Sequence, residues 1–94
     1  MSDRITVRAP HGGAVLGEWA RHDAATVART LTDTRAAQRA WARVARDERA
    51  AALRRLATVL RARRDDLAAR ATLEMAKPIV QARGEVEKCA ACCD

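Results

Sequence analysis

The sequence predicts a mainly α-helical chain opened by a β-hairpin, and three observations predict it. Pro10-His11-Gly12-Gly13 separates two short extended stretches. From about residue 25 onward, apolar residues recur at three- and four-residue spacing. Alanine, the best intrinsic helix former, supplies 23 of the 94 residues.

The hairpin is expected over about residues 4–20. Ile5-Thr6-Val7-Arg8 alternates apolar and polar as a half-buried strand does, and Ala14-Val15-Leu16-Gly17-Glu18-Trp19 is the second extended segment. Between them Pro10 fixes one φ, and Gly12 and Gly13 allow positive φ, so the chain can reverse. A first helix is expected over about 25–41, with Val27, Leu31, Ala37 and Trp41 on one stripe and Asp23 as N-cap. A second, over about 46–63, starts with Asp47-Glu48 at the positive end of its dipole. It carries Leu53, Leu56, Ala57 and Leu60 on one face and ends in Arg61, Arg63 and Arg64. The sign reversal in Arg63-Arg64-Asp65-Asp66 marks the start of a third helix, over about 65–76, with Leu67, Ala71 and Met75 on its buried face and Asp66 paired to Arg70. Pro78 stops it and serves as the first residue of a fourth, over about 78–94, with Ile79, Val86, Cys89, Ala90 and Cys93 on one face. This last helix is expected to be still running at Asp94.

Composition narrows what such a chain can be. Ninety-four residues allow one small domain or part of a larger one. There is no Phe or Tyr, and Leu, Ile and Val total 16 of 94 residues, below the roughly 20 % at which a self-sufficient core becomes doubtful. The expected core is too thin to stand alone, and two strands by themselves are marginal in water. No apolar run, Ala50-Ala51-Ala52-Leu53 included, comes near the length of a membrane span. Met1-Ser2-Asp3-Arg4 does not read as a secretory signal, so a reducing, cytoplasmic setting with free thiols is expected.

Candidate chemistry is sparse. Cys89 and Cys92 make a Cys-x-x-Cys with Cys93 beside it, the spacing of a metal or redox pair. A zinc site needs a second matched pair, His11 and His22 lie far upstream, and a redox pair normally opens a helix. Small apolar residues facing a core explain these cysteines more simply. Glu85 and Glu87 point apart on a helix and cannot share a proton. His11 has no partner nucleophile by spacing, Gly12-Gly13 is too short for a phosphate loop, and Trp19 and Trp41 read as packing residues. The net charge of +6 raises nucleic acid as a partner, but Arg is interleaved with Asp and Glu, and no aromatic platform or reader motif is present.

Thr72-Leu73-Glu74-Met75-Ala76-Lys77-Pro78-Ile79, followed by Ala82-Arg83-Gly84-Glu85-Val86-Glu87-Lys88-Cys89-Ala90, resembles the N-terminal region of NAD(P)-dependent aldehyde dehydrogenases. It is closest to the succinate-semialdehyde dehydrogenase branch, which commonly reads TLEMGKP and ARGEVEKCA there. Trp41, Glu48-Arg49 and Leu53 keep the family's register. Leu60-Arg61-Ala62-Arg63-Arg64-Asp65-Asp66-Leu67-Ala68 is similar to its LEARRDELA, and Pro10-His11-Gly12-Gly13-Ala14-Val15-Leu16-Gly17 sits where it carries NPATGEVIG. Two departures stand out. Ala76 replaces the family's Gly, at a cost on the order of 1 kcal/mol if that position is left-handed. Ala91-Cys92-Cys93-Asp94 follows where the family continues with Trp.

The resemblance implies a hairpin plus four helices forming the outer layer of an α/β cofactor-binding domain, residues 1–94 being its N-terminal part. It implies a parent enzyme that oxidises an aldehyde, succinate semialdehyde among the candidates, with NAD or NADP. In that chemistry a cysteine thiolate attacks the aldehyde, hydride leaves to nicotinamide, and a glutamate activates water against the thioester. Those groups lie downstream in the family, and Cys89 matches a packing cysteine. No catalytic, cofactor-binding or metal residue is therefore assigned within 1–94, and the chain alone is expected to be inactive and to bind no cofactor. Its expected partners are the rest of the parent polypeptide and the aldehyde substrate, in a homo-oligomeric enzyme without membrane or nucleic-acid contacts. The alternative is a small basic helical module that binds nucleic acid or another protein.

Overall fold

The alternating start of the chain becomes a two-stranded antiparallel sheet in the computed structural model, which describes residues 3–94. The reading of Met1 and Ser2 as outside any secretory signal falls beyond those residues. Strand β1 (Arg4–Arg8) pairs with β2 (Val15–Ala20), with Ile5 opposite Trp19 and Thr6 opposite Glu18. The register slips between Val7 and Arg8, whose partners are Gly17 and Val15, so Leu16 is the extra residue of a bulge. Gly12 and Gly13 take φ of 85° and 73°, values that an L side chain resists. Ala9 closes the turn by donating to Ala14 O at 2.8 Å and accepting from Gly13 N at 3.1 Å.

Helix α1 (Ala24–Ala42) starts as its sequence requires. Asp23 is extended, and its Oδ1 accepts from the Thr26 N–H at 2.7 Å. Helix α2 (Arg46–Ala62) opens with Asp47 and Glu48 in its first turn, and α3 (Arg64–Met75) with Asp65 and Asp66. Arg63 leaves helical geometry at φ −102°, ψ 14°. Its N–H still donates to Val59 O, and its carbonyl still accepts from Leu67 N, both at 2.9 Å. Thus α2 and α3 form one bent rod, about 45 Å long at 1.5 Å per residue. Ala76 ends α3 in the left-handed region at φ 56°. Pro78 is extended (ψ 134°) and precedes α4 (Ile79–Cys93) as its cap residue. It is not the first helical residue, as the sequence suggested, and its carbonyl accepts the helical bond from Ala82.

Packing between helices is concentrated where α4 folds back along the rod and touches both α2 and α3. The buried residues of these helices are Ala57, Ala68, Ala82 and Ala90. This corrects the expected faces. Leu53 and Leu56 are 49 % and 45 % exposed, Met75 is 68 % exposed, and Leu60, Leu67 and Ala71 are only half-buried. Small residues occupy the seam because methyl groups let helix axes approach closely, and the larger side chains are left on surfaces that no second element covers. Helix α1 buries no residue.

The result is a layer. The molecule measures 48 × 38 × 14 Å, and its thinnest dimension is little more than one helix with its side chains. Its radius of gyration is 17.5 Å, against about 12 Å for a globular chain of this length. Its accessible surface is 7551 Å², against roughly 5,400 Å² for a folded monomer of 10.3 kDa. The excess, about 2,200 Å², is the size of surface that obligate partners cover.

Candidate functional site

The sequence offered three clusters that could carry chemistry, and the fold gives each a place. Cys89, Cys92 and Cys93 lie on the last two turns of α4, the first two exposed and Cys93 half-buried. Among the described residues no group of three or more His, Cys, Asp or Glu side chains is placed to hold a metal ion. His11 sits exposed in the hairpin turn and His22 exposed before α1.

Glu85 and Glu87 diverge, as their i, i+2 spacing requires, and each has its own cation. Glu85 pairs with Lys77 across the α3–α4 turn. Glu87 accepts from Arg61 Nε at 2.9 Å. The Gly12-Gly13 pair opens no helix; the next helix begins eleven residues later behind the Asp23 carboxylate, which takes the Thr26 N–H of its first turn and repels a phosphate. Trp19 and Trp41 are 49 % and 46 % exposed. Trp19 lies over Gly17 of its own strand, where an added Cβ would meet Cζ3 at 2.8 Å.

The most developed electrostatic feature is one the sequence reading missed. Arg61, near the end of α2, donates from Nη1 and Nη2 to both carboxylate oxygens of Asp94 at 3.2 and 2.7 Å, and from Nε to Glu87. The Asp94 bonds, and then the Glu87 bond, raise the affinity of Arg61 for its proton, and the Arg61 bonds hold the Asp94 carboxyl below its usual range. A second tie joins α4 to α3, with Asp65 Oδ1 accepting from Arg83 Nε at 3.2 Å. Partners 33 and 18 residues apart leave no local signature. The expected Asp66–Arg70 pair is not formed. Asp66 pairs with Arg63 at 2.8 Å, and Arg70 faces Glu74 at 3.7 Å. The Arg61 and Arg83 pairs latch helices together, whereas the Arg63–Asp66 and Arg70–Glu74 pairs are local.

Among the described residues two donors are unmet: Arg49 Nε and Thr72 Oγ1 are shielded from solvent without a hydrogen-bond partner. Exposed apolar side chains extend along α1–α4, including Leu31, Trp41, Leu53, Val59, Leu73 and Val80. No helix among the described residues is long and apolar enough to cross a membrane.

Comparison with known proteins gives this layer its context. Residues 1–94 match the model of the aldehyde dehydrogenase family. The chain is 53 % identical over 51 residues to the succinate-semialdehyde dehydrogenase of Paenarthrobacter nicotinovorans, a stretch covering 54 % of this chain and 11 % of that protein. It is 48 % identical over 56 residues to the succinate semialdehyde dehydrogenase [NAD(P)+] Sad of Escherichia coli K12, covering 60 % and 12 %. It is 36 % identical over 78 residues to the 3,6-anhydro-alpha-L-galactose dehydrogenase of Streptomyces coelicolor, covering 83 % and 16 %. The matches span less than a fifth of the length of each of these relatives. On the match across its whole length, and in keeping with its hairpin and four helices, this chain belongs to the aldehyde dehydrogenase family.

Proposed function

We propose that residues 1–94 are the N-terminal outer layer of the cofactor-binding domain of an NAD(P)-dependent aldehyde dehydrogenase that oxidises a semialdehyde, succinate semialdehyde first, to the carboxylate. The observation that carries this reading is the family match over all 94 residues, and the shape of the layer supports it. A sheet of helices 14 Å thick with about 2,200 Å² of surplus surface is one layer of a two- or three-layer domain. The unmet donors Arg49 Nε and Thr72 Oγ1 then find acceptors in the body that covers them. Two relatives named for succinate semialdehyde motivate the substrate, and the name of one includes NAD(P)+.

The residues in hand do not fit a dinucleotide. Gly12-Gly13 lies in a hairpin turn, and the Asp23 carboxylate guards the nearest helix start. The thiols sit at the end of α4, Cys89 and Cys92 exposed. The layer's work in this reading is structural: it shields the sheet that holds the cofactor. The working enzyme is a cytoplasmic homo-oligomer, and the 94-residue chain by itself is inert.

A chimera tests this. The 51 residues of this chain that match the Paenarthrobacter enzyme replace their counterparts there, and nicotinamide reduction with succinate semialdehyde is followed. The chimera is expected to be soluble and active, and the 94-residue chain silent. An insoluble or inactive chimera, or activity from the chain alone, contradicts the proposal.

A further inference from the structure

The family resemblance accounts for Cys89 but not for Cys92 and Cys93, which stand where this chain departs from the family sequence. Nor does packing account for the outer two thiols. Cys89 and Cys92 are exposed, and only Cys93, three residues on from the buried Ala90, is half-buried. On α4 the two exposed thiols are three residues apart, about 60° around the axis and ~4.5 Å along it. Their Cβ atoms are therefore about 5–6 Å apart. A disulfide needs roughly 3.5–4.5 Å between Cβ atoms, so the intact helix holds this pair too wide for direct oxidation. The same gap admits one atom between the sulfurs. Metal–thiolate bonds of about 2.3 Å on opposite sides of an ion put its two sulfurs ~4.6 Å apart.

The surroundings choose the ion. Among the described residues no third His, Cys, Asp or Glu joins the pair to complete a metal-binding group. The carboxylates nearest in sequence are engaged, Glu85 by Lys77, and Glu87 and Asp94 by Arg61. Zinc asks for four ligands and is left short. Monovalent copper is soft, prefers thiolates, and is satisfied by two of them in a line. Lys88, one turn before Cys92, sets a positive charge beside the single negative charge that a copper(I) bis-thiolate carries. The Arg61 guanidinium grips α4 at Glu87 and at Asp94, on either side of the pair. The turn carrying both thiols is thus held helical before any ion arrives.

We propose that Cys89 and Cys92 form a two-coordinate site for a soft monovalent cation, copper(I). Both thiols lose their protons to solvent, two sulfur–copper bonds form, and no electron is transferred. The inference concerns the dithiol of the 94-residue chain and is independent of the enzymatic reading. Anaerobic titration of this chain against copper(I) held by a coloured chelator, bicinchoninate, tests it. The wild-type chain is expected to take one equivalent from the chelator, with a sulfur-to-copper absorption in the ultraviolet. Cys89→Ser and Cys92→Ser are each expected to take none, with the helical circular dichroism unchanged. Cys93→Ser is expected to bind as the wild type does. Arg61→Ala is expected to weaken binding about tenfold, as loss of a metal site's supporting contacts does. A wild-type chain that leaves copper(I) with the chelator overturns the proposal. So does full binding by Cys92→Ser, loss of binding by Cys93→Ser, or an affinity unmoved by Arg61→Ala.

Discussion

Ala76 is the residue where local rules conflict. It closes α3 with φ 56°, and an L side chain there is strained where glycine is not. Ala76→Gly is expected to relieve about 1 kcal/mol of local strain, read as slower amide hydrogen exchange in the last turn of α3; faster exchange contradicts this. Asp23 and Asp94 make a pH prediction. The Thr26 bonds lower Asp23 and the Arg61 bonds lower Asp94. A carboxyl lowered in the fold contributes stability that is fully present above its unfolded value and lost as pH falls through its folded value. Helicity should therefore drop on acidification below the usual carboxylate range. Asp23→Asn with Asp94→Asn should flatten that acid limb, and an unchanged limb would remove both groups from the account. At this scale the sequence was partly legible. Asp23 announced its cap because capping is local. Arg61 did not announce Asp94, because a contact between helices depends on how they cross.

At the scale of elements, periodicity and charge located all four helices to within a residue or two, but it misjudged which side they bury. A stripe of Leu53, Leu56 and Leu60 marks a face that wants cover; it does not say whether cover is present. Here it is not, and the seam runs through Ala57, Ala68, Ala82 and Ala90 instead. The seam is tight at Ala68, which is 0 % exposed. Ala68→Leu is expected to pry α4 from the rod, a local cost of about 1–3 kcal/mol, read as faster amide hydrogen exchange along α4, whereas unchanged exchange would mean the seam is loose. The bend at Arg63 was visible as Arg63-Arg64-Asp65-Asp66, which ends one dipole and starts another. The sequence did not show that backbone bonds continue through it.

The whole molecule shows why the candidate chemistry reduces to so little. Scarce large side chains foretold a thin core, and the fold expresses this as a layer with its greasy residues uncovered. On the proposed reading, a sheet elsewhere in the parent enzyme completes the layer. Such a layer lacks the interior needed for independent cooperative stability. Thermal unfolding followed by helical circular dichroism, at concentrations low enough to dissociate any dimer, tests it most directly. A broad, shallow loss of signal without a baseline-to-baseline step is expected, and a sharp, reversible transition at high temperature would contradict it.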